Sequence, residues 1–224
     1  MATEGTYFAV QTLSRAVPAH SRYAQLWPVG VVYGLVLATV WTRRGRGDAV
    51  FLLCALATIV ALTVRDGYSA RQLGLNRPSS GAWVMLALGA LLVGVIAAVG
   101  PFTRIFGAAQ SLPFHRAWQY SVWALVQEFI LQSFFFVRLE SILGGRRAVW
   151  AASALFAVAH LPSPLLTLLS FLGALFFCEM FRRYRNILPL GIVHAALGLT
   201  VAASLPDSLL HHMRVGIGYI LYHP

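Results

Sequence analysis

The sequence predicts an all-α fold, a polytopic transmembrane bundle of about seven to eight helices around a polar intramembrane cavity. Hydrophobic residues make up 58% of the 224 residues and charged residues only 11%, whereas a soluble domain carries about 25% charged residues. The mean hydropathy is +0.72. The apolar residues are gathered into long runs, as in helices that cross a bilayer. We therefore expect residues 1–224 to form a single membrane domain of an integral membrane protein.

Seven apolar runs follow one another along the chain, each bounded by Arg, Gly or Pro. They cover approximately 26–42, 49–64, 82–102, 117–137, 148–161, 165–181 and 187–205. A tail at about 208–222 is expected to form an interfacial or eighth helix. Because a span needs about 20 apolar residues, the shorter fifth run is expected to stop inside the membrane beside a cavity.

All 17 basic residues are arginines, and the net charge is +10. They stand at the ends of apolar runs and do not form the basic face that nucleic-acid binding requires, so nucleic acid is not an expected partner. The lipid bilayer, with its anionic head groups, is the expected counterpart. Basic residues favour cytoplasmic loops, and their distribution favours a cytoplasmic N-terminus. The expected location is a bacterial inner membrane.

Two acidic residues, Glu128 and Glu179, lie well inside apolar runs. An ionisable group in a bilayer costs at least about 2.5–3.5 kcal/mol on insertion scales, so it is a candidate functional group. Glu179 lies close to Arg182 and Arg183, and we expect ion pairs between them. Glu128 shares a helical face with Gln132, and hydrogen bonding between helices is the structural alternative for these polar groups.

Two histidines could form a site with Glu128. His160 ends the fifth run, and His194 lies inside the seventh. A carboxylate and an imidazole can activate water as a general base, and a second imidazole can stabilise a developing oxyanion. The same three side chains also form a known zinc ligand set. Composition and spacing leave both possibilities open.

The order and spacing of these residues resemble the CPBP intramembrane proteases, the CAAX prenyl protease and bacteriocin-processing (Abi) family. The resemblance covers residues 65–205. The family's motifs, in chain order, are EExxxR, FxxxH and HxxxN. The corresponding segments here read QEFILQ from Gln127 to Gln132, FAVAH from Phe156 to His160, and HAALG from His194 to Gly198.

The resemblance implies a helical bundle with an internal cavity and an endopeptidase that hydrolyses peptide bonds with water activated by Glu and His. The substrates it implies are membrane-associated or lipidated peptides and membrane proteins. It assigns water activation to Glu128 and His160, and oxyanion stabilisation to His194. The supporting positions are Gln127, Gln132, Phe156 and Gly198. It does not predict an oligomeric state.

The same resemblance bears on cofactors. The glutamate mechanism needs none, so no cofactor is expected. An older interpretation of the family as metalloproteases keeps a divalent metal such as zinc open. Its ligands would then be Glu128, His160 and His194.

Three positions depart from the family's motifs: Gln127, Gln132 and Gly198. An amide is not a general base, and a glycine offers no side-chain donor to an oxyanion. Gln127 and Gln132 replace an acid and a base together, which keeps the net charge at −1 and avoids a buried Arg without a partner. We therefore expect Glu128 to be the surviving base, with Gln132 bonded to it at i+4.

Two other functional classes compete with a protease. The three departures also suit a catalytically inactive relative that binds a peptide or lipid, or confers immunity to a bacteriocin. A small transporter is the third class. It would require a continuous pore with more than one carboxylate along it, and Glu128 is the one candidate found.

Overall fold

The computed structural model describes residues 24, 26–108 and 112–222, and these residues form a bundle of helices. They include an isolated β-bridge between Leu75 and Asn186. The helices are α1 Leu26–Trp41, α2 Arg46–Asp66, α3 Ser80–Thr103, α4 Phe114–Leu143, α5 Gly145–Val158, α6 Pro164–Tyr184, α7 Ile187–Ser204, α8 Asp207–Leu210 and α9 Ile217–Ile220. The predicted cytoplasmic N-terminus, residues 1–23, lies outside the described residues.

Five of these helices, α2, α3, α4, α6 and α7, are long and apolar enough to cross a membrane. Helix α1 has 16 residues and α5 has 14. A bilayer core needs about 20 helical residues, so α5 is too short to span it, as its sequence predicts. The predicted all-α bundle is therefore confirmed, with the tail folded into two short helices.

The ends of the helices follow from local sequence. Gly67 and Gly144 have positive φ angles of 66° and 79° and end α2 and α4, a conformation that glycine adopts at little cost. Pro164 begins α6, where the missing N–H of proline is not needed. The side chain of Asn186 accepts a 3.1 Å hydrogen bond from the Leu188 N–H and caps α7.

Helix α4 passes through the interior of the bundle and changes its winding on the way. Residues Phe114–Glu128 and Val137–Leu143 are α-helical, and the intervening Phe129–Phe136 form a π-helix. In a π-helix each N–H bonds to the carbonyl five residues back, a pattern that is rare and frequent at functional sites. The change in winding begins directly after Glu128.

Glycines let α3 and α4 approach α7 closely. A Cβ atom on Gly191 would lie 2.5 Å from Cδ1 and 3.3 Å from Cα of Leu125 in α4. A Cβ atom on Gly89 in α3 would lie 2.5 Å from Cγ2 of Val193. Small residues at helix contacts allow such close packing in membranes. Both contacts lie within three residues of His194 along α7, so they fix the position of that segment.

Two groups of ion pairs involve the helix ends. Glu179 bonds to both Arg182 and Arg183, as predicted, with N···O distances of 2.8 and 2.6 Å. Arg138, near the end of α4, is fully buried, and its Nη2 lies 2.8 Å from Oδ2 of Asp66. This pair could not be predicted from local sequence, because its partners are 72 residues apart.

Candidate active site

Glu128 is fully buried on α4, and both of its carboxylate oxygens have partners. Oε1 lies 2.8 Å from Nδ1 of His194 on α7. Oε2 accepts a 3.1 Å hydrogen bond from Nε2 of Gln132, one turn along α4. The sequence predicts this second bond and the structure confirms it. The first bond links two helices and brings together two of the three residues predicted to be catalytic.

Gln127 is placed differently from its neighbour. Adjacent residues on a helix point about 100° apart, and Gln127 is only half-buried. The hydrogen bonds of the described residues include none from its side chain. Glu128 therefore holds the interior position on α4, while the amide at the first position of the motif takes no part in the polar contacts around it.

The His194 ring is held on three sides. The ring of Phe177 stacks on it, with centroids 5.0 Å apart and planes 17° apart. The ring of Phe156 packs on it edge-to-face, with centroids 5.9 Å apart. Glu128 contacts Nδ1. A carboxylate only accepts hydrogen bonds, so Nδ1 carries the proton and Nε2 of the neutral ring has a free lone pair. These contacts fix the orientation of the imidazole, and its tautomer is assigned from the bond to Glu128.

A cavity of about 260 Å³ lies beside His194, between α3, α4, α6 and α7. Its lining is mostly apolar, unlike the polar cavity that the sequence predicts, because the polar groups of Glu128 and Gln132 are turned to His194 and to each other. The polar side chains at the cavity are Tyr120, Ser170 and His194. Glu128 does not line it. The carboxylate is thus enclosed behind the imidazole, and His194 is the group of this pair that a molecule in the cavity would meet.

His160 lies beside the pair without bonding to Glu128 among the described hydrogen bonds. It follows α5, and its Nδ1 is 2.7 Å from the carbonyl oxygen of Phe156. A carbonyl oxygen only accepts hydrogen bonds, so the ring proton of His160 is on Nδ1. Its Nε2 can then accept a hydrogen bond. The Phe156 ring contacts both histidine rings, with its centroid 4.7 Å from that of His160. The ring of Phe156 therefore lies against both histidine rings and supports them.

The donor set does not suit a metal. Within residues 26–108 and 112–222, no group of three or more His, Cys, Asp or Glu side chains is placed to hold an ion. Both oxygens of Glu128 are engaged by His194 and Gln132, and Nδ1 of His160 is bonded to a backbone carbonyl. The alternative zinc ligand set of Glu128, His160 and His194 is therefore not assembled.

Tyr120 is a cavity residue that the sequence did not single out. It lies on α4, two turns before Glu128, and faces the same cavity as His194 and Gly198. In the sequence Tyr120 is marked only as a polar aromatic residue in an apolar run. Aromatic residues are common in membrane helices, so this feature does not mark it as a site residue. Its relation to position 198 depends on how α4 packs against α7.

One comparison with known proteins identifies a family. The family model described as "Type II CAAX prenyl endopeptidase Rce1-like" matches residues 83–200, more than half of the chain. The matched segment falls inside the predicted range 65–205 and runs from α3 to α7. It contains all of the candidate site residues described above. No curated protein matches the chain.

Proposed function

The chain belongs to the Rce1-like family of type II CAAX prenyl endopeptidases, and we propose that it is an intramembrane endopeptidase. It is an integral membrane protein, with five helices that are long and apolar enough to span a bilayer. The proposed substrates are membrane-associated or lipidated peptides and proteins. The apolar lining of the cavity supports this class, because a lipid chain on the substrate could be accommodated there.

The contact between Glu128 and His194 is the observation that carries the proposal. Glu128 cannot reach a water molecule in the cavity, because it is fully buried and both of its oxygens are bonded. His194 lines the cavity and has a free lone pair on Nε2. We therefore propose His194 as the general base. Glu128 is the positioning residue that fixes its tautomer and stabilises the imidazolium that forms. These roles differ from those that the resemblance implies.

The proposed reaction begins when Nε2 of His194 accepts a proton from water. The hydroxide oxygen bonds to the carbonyl carbon of the scissile peptide, and the π electron pair of the carbonyl moves to its oxygen. When the resulting oxyanion collapses, the C–N bond breaks and the nitrogen takes the proton back from His194. The products are a carboxylic acid and an amine, and His194 returns to its neutral form.

His160 stays a predicted catalytic residue. Its Nδ1–H donates to the Phe156 carbonyl, so its Nε2 is left to accept a hydrogen bond. His160 does not line the cavity beside His194, so the proposed proton transfer is assigned to His194 alone. Phe156 supports both rings through direct contacts.

The proposal is tested by comparing peptide termini in membranes that contain the wild-type protein, Glu128→Ala or Glu179→Ala at matched expression. Glu179 is the control, because it is an acid of the same membrane domain that pairs with Arg182 and Arg183 away from the site. New termini with the wild type and the control, but not with Glu128→Ala, would support proteolysis and would identify substrates. Identical termini in all three, with the variants folded, would favour an inactive relative.

A further inference from the structure

The space beside Gly198 is filled by a side chain from another helix. Gly198 lies one turn after His194 on α7, where the resembling family has the Asn of HxxxN. A Cβ atom on Gly198 would overlap the hydroxyl oxygen of Tyr120 and would lie 2.7 Å from its Cε1. The phenol of Tyr120 therefore occupies the volume that any side chain at position 198 would need.

The Tyr120 hydroxyl is placed to act on a molecule in the cavity. Tyr120, His194 and Gly198 all line it. The hydroxyl forms no hydrogen bond with any other residue in the described part of the chain. A phenol is both a donor and an acceptor, and Tyr120 is half-buried at the cavity wall, so its hydroxyl is left for a bound molecule. A donor that lines the same cavity as the proposed base, with no hydrogen-bond partner in the described part of the chain, suits oxyanion stabilisation.

We propose that the Tyr120 hydroxyl is the hydrogen-bond donor to the oxyanion of the proposed reaction and replaces the side chain that Gly198 lacks. This inference rests on the proposed endopeptidase function. The glycine and the tyrosine form a pair, because Gly198 makes the room that the phenol occupies. The donor comes from α4, the helix that also carries Glu128, so one helix supplies both the positioning carboxylate and the oxyanion donor.

The Tyr120→Phe substitution distinguishes an oxyanion donor from a residue with a purely structural role, because the two roles predict different outcomes. The phenylalanine keeps the ring that packs against Gly198 and removes only the hydroxyl. We expect kcat for a farnesylated C-terminal peptide to fall about 100- to 1000-fold, the usual effect of losing one oxyanion donor. KM should change by less than about threefold, because the hydroxyl acts on charge that develops only in the transition state. The melting temperature should not change.

A residue exchange provides the second test. Gly198→Asn alone should be inactive or unfolded, because the new side chain overlaps Tyr120. Tyr120→Ala alone removes both the donor and the ring. In the double variant Tyr120→Ala/Gly198→Asn the amide takes the vacated space, and we expect kcat at least tenfold above that of Tyr120→Ala.

The outcomes distinguish this inference from the proposed function. If the wild type cleaves, Glu128→Gln does not, and Tyr120→Phe cleaves at the wild-type rate, the inference is wrong and the proposed function stands. The inference is also wrong if Tyr120→Phe loses activity only together with thermal stability, or if the double variant recovers nothing. A folded wild-type protein that cleaves neither the peptide nor any membrane protein would overturn both.

Discussion

Nδ1 of His194 lies 2.8 Å from Oε1 of Glu128, and this contact joins α7 to α4 inside the bundle. This contact gives the buried carboxylate of Glu128 a function that a glutamine at the same position would not perform. An ionised carboxylate accepts from the imidazole N–H and stabilises the imidazolium, whereas an amide could hold the ring in the opposite tautomer. The predictions below follow from this pair, from its contacts and from the packing that brings the two helices together.

Gln132 holds the second oxygen of Glu128, so its removal should affect the turnover rate more than substrate binding. Gln132→Met keeps the size of the side chain but leaves Oε2 without its 3.1 Å partner. An unsatisfied buried acceptor costs about 1–3 kcal/mol. We expect kcat to fall about tenfold, with KM within threefold of the wild type. Gln119→Met, at an exposed position on the same helix, is the control. Unchanged kcat in Gln132→Met would show that the bond does not position Glu128.

Gly191 sets the distance between α4 and α7 and therefore the contact between Glu128 and His194. In Gly191→Val the new side chain would press on Leu125, whose Cα would lie 3.3 Å from the added Cβ. Overpacking of this kind costs about 1–3 kcal/mol. We expect a lower melting temperature in detergent and loss of cleavage.

Gly34→Val in α1 is the matched control for this substitution, because nothing lies within 4 Å of a Cβ atom at Gly34. It should melt close to the wild type and retain full activity. Equal effects of the two substitutions would mean that the valine acts through helix propensity and not through the α4–α7 contact.

Asp66 is required to balance the charge of Arg138. The Arg138 side chain is fully buried, and its partner Asp66 is 9% exposed. Breaking a buried ion pair by removing one partner costs about 3–5 kcal/mol, so Asp66→Asn should lower the free energy of unfolding by about that amount. Arg65 also pairs with Asp66 but is 53% exposed, and Arg65→Gln should cost less than about 1 kcal/mol. Chemical unfolding in detergent measures both.

Metal chelators should leave the activity unchanged. The proposed reaction uses Glu128, His194 and water, and both carboxylate oxygens are bonded to protein side chains. We expect the cleavage rate after treatment with EDTA or 1,10-phenanthroline to stay within twofold of the untreated protein. Activity that disappears with the chelator and returns with zinc would support the metalloprotease alternative and contradict this account.

Much of the fold could be predicted from the sequence, because a bilayer restricts the chain to long apolar helices whose ends carry Arg, Gly or Pro. The seven runs coincide with α1 to α7 within a few residues, apart from the longer α4. The bonds of Glu128 with Gln132 and of Glu179 with Arg182 could also be predicted. Both are local, between residues one turn apart on the same helix.

The relations between helices could not be predicted in the same way. The π-helix after Glu128 has no marker in the hydrophobic pattern. Whether Glu128 would meet His160 or His194 depends on how α5 and α7 pack against α4, which the spacing along the chain does not encode. For the same reason neither the pairing of Arg138 with Asp66 inside the protein nor the contact of Tyr120 with position 198 could be predicted.

The most direct test of the central claim is the rate at which the purified protein, reconstituted in vesicles, cleaves a farnesylated C-terminal peptide. Wild type, Glu128→Gln and Glu179→Gln should be compared at equal amounts of folded protein across the pH range. We expect Glu128→Gln to lower kcat about 10³- to 10⁴-fold with little change in KM, because the imidazole loses its orienting carboxylate, and Glu179→Gln to stay near the wild type. A Glu128→Gln protein with wild-type kcat and an unchanged pH profile would contradict it.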